Sequence, residues 1–460
     1  MEEAKEKLIY ATAPIGKLIA KFAVPCVISL VTSALYNIVD QIFIGHGVGY
    51  LGNGATTVVY PFTVFALAIA LLAGDGGAAF LSLRLGEGKR EAASKGVGNM
   101  ITSLVIMAAI MLVGGLALLK PLAPVLGATD ELMPYVFDYG YIIIIGLPFQ
   151  IIVTGISAFI RADGSPGYSM AATLAGAVAN IILDPIFIFV FRMGVKGAAI
   201  ATVIGQLLSF AMVIYYVARK CKSVTLSLHC LKLQAKTVGS ILRLGLSSFI
   251  NQFAIVVIVV LSNNILVQFG AISKYGAEIP LAAMGIVMKV NQILVSILVG
   301  IAAGSQPIVG YNYGAGNLQR VKKVYFTAVK VALVVGAVAF CLFEFCPQVI
   351  VTIFGNEGPL YNEFAVLVFR TYLLLCIPTS FQTVTGIFFQ SIGKPIQSAV
   401  TSLSRQILFL VPALLILPGF LGVYGALWAG PVADGLAFVL ALILILVEMK
   451  KLNLQLAKKP

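Results

Sequence analysis

The sequence predicts an all-α polytopic membrane protein, with twelve transmembrane helices in two six-helix lobes related by a pseudo-two-fold axis along the membrane normal. Three observations lead there. The 460 residues are 60% apolar and only 11% charged, with mean hydropathy +1.02, whereas a soluble protein carries about a quarter charged residues. Apolar runs of membrane length recur twelve times along the chain. Three short motifs in one half reappear in the other at a nearly constant offset.

The apolar runs begin near Phe22, Ala55, Val97, Leu132, Tyr168, Gly197, Ser240, Leu281, Val324, Glu363, Gln397 and Gly425. A helix of about 20 apolar residues crosses the hydrocarbon core. Short connectors rich in Gly, Pro or charge separate the runs. Twenty-three of the 31 Lys and Arg residues fall on one side if the amino terminus is placed inside. They cluster at Lys5–Lys21, Arg84–Lys95, Arg219–Arg243, Arg320–Lys323 and Lys450–Lys459, with Arg161 and Lys394. This bias predicts both termini in the cytoplasm. It also explains the net charge of +13 without a nucleic-acid partner. No cleavable signal peptide is expected in Met1–Lys7. The six cysteines show no CxxC or metal spacing and read as reduced, apolar-type thiols.

The repeat is seen in Leu85–Lys89 against Tyr313–Asn317, in Gly164–Pro166 against Gly393–Pro395, and in Gly194–Ala198 against Gly422–Ala426. The offset is 228 or 229 each time. Each half holds an even number of spans, so both copies insert the same way up. The expected organisation is an amino-terminal lobe over 1–218, a cytoplasmic linker over 219–239 and a carboxy-terminal lobe over 240–460.

Two carboxylates fall at hydrocarbon depth. Asp40 is the only charged residue from Phe22 to Ile44, and Asp184 the only one from Ser169 to Phe191. An intramembrane acid costs several kcal/mol or more and marks an ion or proton path. At 1.5 Å per residue both lie roughly 6–10 Å below the outer ends of the first and fifth spans. Asn180 sits one turn below Asp184, and Thr202 of the sixth span enters the same layer. Such an oxygen-only set suits a proton or a hard cation; Asp40, Asn180, Asp184 and Thr202 would be metal ligands only if the ion is Na⁺. At offset 227 the acids map onto Val267 and Val411, while Pro185 maps onto Pro412. The ion site is therefore expected in the first lobe alone. Pro25 and Pro185 are candidate hinges, since each removes a helical hydrogen bond.

Tyr36, Asn37, Gln206, Met288 and Gln292 are candidate substrate contacts. Other intramembrane charges are less readable. Asp434 is expected to pair with Arg405; Lys289 lines the cavity or snorkels to the interface; Asp75 sits in the run Gly74–Gly77, where helices could approach closely.

The chain resembles the multidrug and toxic compound extrusion family over nearly its whole length. The likeness rests on the double repeat, on Gln306–Ala315 after the eighth span, on Ile160–Pro166 after the fourth and on Tyr36–Asp40 in the first. It implies a V-shaped transporter of the plasma membrane, not an enzyme and without a cofactor, that exports amphipathic, often cationic small molecules in exchange for H⁺ or Na⁺. The only other expected partner is membrane lipid, and a monomer is expected. In the branch resembling the DNA-damage-inducible exporters, the motif residues of the ion site fall on Asp40, Asn180, Asp184 and Thr202. Another branch places acids in helices seven and ten; here those helices offer Asn251, Asn263 and Asn264, and Thr379, Thr383 and Gln390. The rival readings are a lipid-linked-precursor flippase of the same superfamily and another twelve-helix secondary transporter. Proton against sodium stays open at this point.

Overall fold

In the computed structural model, residues 10–354 and 358–457 are described. Lys5, Lys7, Lys458 and Lys459, which counted toward the orientation, lie outside them. The helices are α1 (Ile15–Val48), α2 (Tyr50–Gly86), α3 (Arg90–Leu122), α4 (Met133–Ala162), α5 (Pro166–Pro185) and α6 (Gly194–Arg219). They continue with α7 (Ala235–Ala271), α8 (Glu278–Gly314), α9 (Leu318–Phe345), α10 (Pro359–Tyr372 and Cys376–Ser391), α11 (Pro395–Leu421) and α12 (Val423–Ala457). Among the described residues, eleven helices are each long and apolar enough to span, and the two parts of α10, bent by 49°, make a twelfth. Each helix starts near or a few residues before its apolar run. Polar first turns extend the helix into the interface, where water satisfies their free N–H groups.

The backbone repeats as the sequence does. Gly88 and Gly316 have φ +76° and +71°, Gly164 and Gly393 +91° and +74°, Gly194 and Gly422 +58° and +61°. Each pair closes equivalent connectors with a left-handed residue, which only glycine adopts without strain. The repeat axis passes between α2 and α8. A Cβ on Gly86 would stand 2.1 Å from the Tyr311 carbonyl oxygen, and one on Gly314 2.3 Å from that of Leu83. The offset of 228 exchanges the two pairs, taking Gly86 to Gly314 and Leu83 to Tyr311.

Two apolar cores result, one per lobe, and the first and seventh helices cross between them. Leu18, Ile19, Phe22 and Ala23 of α1 pack into the core built by α7–α12. Ile241 and Leu244 of α7 pack into that of the first six helices. The lobes lock together in the halves of these helices nearest the face that carries both chain ends, here the terminal face. Gly300 and Gly304 of α8 lie against Val27 and Ala23 of α1, and Gly76 of α2 against Ile241 of α7.

These contacts predict a steric test. A Cβ on Gly245 would stand 1.8 Å from the Leu72 carbonyl, which is backbone, whereas one on Gly239 of the same helix meets nothing within 4 Å. Overpacking costs about 1–3 kcal/mol. Gly245→Ala is expected to move the equilibrium away from terminal-face closure by roughly 5- to 150-fold. Spin labels on α2 and α7 read the separation, with Gly239→Ala as the silent control. Identical distance distributions for both variants contradict the packing described.

Candidate functional site

The far ends of α1, α5 and α6 gather the acids. Gly176 and Gly205 let α5 and α6 touch backbone to backbone, each Cβ position 2.6 Å from the other's carbonyl oxygen. One turn on from Gly176, Asn180 donates through Nδ2 to Asp184 Oδ1 at 3.1 Å and to Thr202 Oγ1 at 3.3 Å. The carboxyl groups of Asp40 and Asp184 meet directly across the α1–α5 contact. Asp184 and Asn180 are buried, 0% and 2% exposed, and Asp40 is 9% exposed. The structure thus brings Asp40, Asn180, Asp184 and Thr202 to one point.

That point lacks positive charge. Asp40 Oδ1, Asp184 Oδ2 and Asn180 Oδ1 are all buried and, among the described residues, find no hydrogen-bond partner. No Lys or Arg among the described residues forms an ion pair with either acid. One unmet buried acceptor costs about 1–3 kcal/mol, and more when charged. Three unmet acceptors, two of them on adjoining acids, are what a bound cation or proton would satisfy. The donors fit a hard ion and offer no sulfur or imidazole.

Two tyrosines surround the pair. Tyr36, half-buried one turn below Asp40, lies in electrostatic range of both acids. So does Tyr139 of α4, which is 8% exposed. Sequence reasoning missed Tyr139. Its depth, six residues from the far end of α4, matches that of the acids, but nothing in the sequence singles it out among 17 tyrosines.

The other candidates are spread out. Asn37 is exposed and donates to the Ser33 carbonyl oxygen at 2.8 Å. Gln206, one turn from Thr202, is half-buried against Gly146 of α4, with Oε1 unpartnered. Met288 packs against the second core, and Gln292 and Lys289 are exposed on α8. α1 runs unbroken past Pro25, whose carbonyl accepts from Ser29 Oγ at 2.8 Å. At Pro185 the helix changes to a π turn, Ile186–Val190; such turns cluster at functional sites.

The remaining charges also find places. Arg405 Nε donates to Asp434 Oδ1, beside Asn291 and Thr379. Asp75 Oδ2 accepts from Ser248 Oγ of α7 at 3.0 Å, so this acid bridges the lobes. On helices seven and ten, Asn264 and Thr383 bond carbonyls of their own helices, and Gln390 bonds the Leu244 carbonyl.

The sequence profile of the MatE family matches residues 25–186 and 249–415. The chain is 25% identical over 465 residues to the multidrug export protein MepA of Staphylococcus saprophyticus, covering 98% of both chains. It is 26% identical over 452 residues to MepA of Staphylococcus haemolyticus, covering 96% of this chain and 95% of that one. Among solved structures it resembles an outward-facing multidrug resistance MATE family transporter (TM-score 0.88, 22% identity, 95% and 97% of the two chains). It also resembles a MATE protein crystallised in a bent conformation (0.89, 21%, 98% and 99%). With a match over most of its length and twelve spans in two lobes, the chain belongs to the MatE family of membrane transporters.

Proposed function

We propose that the protein is a multidrug antiporter that exports amphipathic, often cationic compounds in exchange for H⁺ or Na⁺ entering at Asp40, Asn180, Asp184 and Thr202. The observation that carries this is the set of three buried acceptor oxygens without a partner, centred on two touching carboxyl groups. The names of the MepA relatives support multidrug export.

The basic clusters support a cytoplasmic terminal face. Closure there makes this the outward-facing state. In that state the acid pair takes up a cation from outside, because two adjoining carboxyl groups in a poorly solvated pocket cannot both stay ionised without one. Neutralisation removes their repulsion and lets the far half of α1 re-pack toward α5, with Pro25 and Pro185 as the points of bending. Substrate held between lobe 1–218 and lobe 240–460 is displaced outward, and the 219–239 linker joins the two. Inward cation movement contributes about 2.3 kcal/mol per charge per 100 mV. Arg405 is tied to Asp434, so its charge is not free to hold a pyrophosphate. This favours an exporter over a flippase for lipid pyrophosphates.

The test is ethidium transport in proteoliposomes with a pH gradient and a Na⁺ gradient imposed separately. One of the two is expected to drive uphill movement, and which one names the ion. Ethidium flux that ignores both gradients contradicts the proposal.

A further inference from the structure

We infer that a groove at the terminal face, between α2 and α3 of one lobe and α7 of the other, binds the phosphate of an anionic phospholipid. This lies outside the exchange reaction and does not depend on it. The groove encloses 390 Å³, and its walls include Arg84, Glu91, Lys95, Lys236 and Ser240.

Its chemistry is that of a phosphate site. Three bases face one acid. Glu91 is bound to Lys95 at 2.6 Å, with its side chain 83% exposed to water. Arg84 gives Nη1 to Glu87 at 2.7 Å and lies over the Phe80 ring at 5.0 Å. Among the described residues, the rest of its guanidinium fork has no protein acceptor. Lys236 forms no ion pair among the described residues. A guanidinium fork with nearby ammonium groups suits a phosphodiester.

The wall opposite is preorganised. Asn99, 0% exposed, accepts from the Gln234 N–H at 2.7 Å and donates to the carbonyls of Cys230 and Lys232 at 3.3 and 3.2 Å. The linker is thereby fixed on α3 where it enters α7. Arg84 is in the last turn of α2 and Lys236 in the first turn of α7, so the groove sits at headgroup depth. Basic pockets there attract the lipids of a negatively charged leaflet. Because α2 and α7 supply opposite walls, a headgroup meets both only when the terminal face is closed. It therefore favours the outward-facing state by its difference in affinity for the two states.

Full-length protein in nanodiscs tests this, with phosphatidylglycerol and phosphatidylcholine competing and retained lipid read by native mass spectrometry. Wild type is expected to retain phosphatidylglycerol preferentially. Arg84→Gln and Lys236→Gln should each weaken retention about fivefold, and Lys323→Gln, an exposed base on α9, should not. Phosphatidylglycerol should also shift the α2–α7 label distances toward closure in wild type and not in Lys236→Gln. Retention that is equal in all four proteins overturns the site. Closure reproduced in phosphatidylcholine discs by millimolar glycerol phosphate assigns the groove to a soluble phosphate ester and overturns the lipid.

Discussion

Asp40→Asn and Asp184→Asn are each expected to abolish uphill ethidium movement while leaving the protein inserted and folded. Asn keeps the shape of Asp and brings its own N–H donors. It can therefore satisfy neighbouring acceptors such as Asn180 Oδ1, which are unpartnered in the native site. What it removes is the charge that a cation or proton must neutralise. One coupled charge at 100 mV is worth about 2.3 kcal/mol, or roughly a 50-fold concentration ratio. A variant that no longer binds the ion loses that factor from its steady-state gradient. Downhill flux should persist, because the substrate path between the lobes is untouched. Parallel assays of uphill and downhill flux in proteoliposomes separate the two effects. Uphill flux at the wild-type level in both variants means the acids do not couple.

The second large effect is on stability. The Arg405–Asp434 pair is mostly buried, with side chains 18% and 4% exposed. Removing one partner leaves a bare charge inside the second lobe, at a cost of about 3–5 kcal/mol. Arg405→Met and Asp434→Leu should each lower the unfolding midpoint in detergent sharply. The double variant should recover most of the loss, since a buried pair replaced by apolar groups of similar volume is often neutral or stabilising. A double variant less stable than either single one contradicts a purely structural pair.

Much of the fold was readable because lipid imposes a length and a polarity on every span. The depths of Asp40 and Asp184 could be counted from span ends, and helices one, five and six do place them together. The break in α10 could not be read this way. It falls at Leu373–Leu375, a leucine run just ahead of Pro378, which has no N–H for the Leu374 carbonyl and whose ring crowds it. Hydropathy reports an unbroken span because it does not weigh the proline. The π segment Ser404–Leu410, just ahead of Pro412, is equally silent in hydropathy. Asp75 was recognised as odd, but its partner Ser248 lies 173 residues away in the other lobe. Only the crossing of α2 and α7 joins them. Tyr139 was hidden by abundance, since depth alone cannot choose among many tyrosines.

The lodging of Leu18, Ile19, Phe22 and Ala23 within the second core has a consequence for biogenesis. These residues are synthesised long before many of the neighbours they pack against, which extend to Val309 and beyond. At about 5–20 residues per second, the wait from Ala23 to Val309 is roughly 15–60 s. Throughout that interval the nascent amino-terminal bundle sits in the bilayer with one helix end unpartnered, so the final seam closes only after the second half has been made.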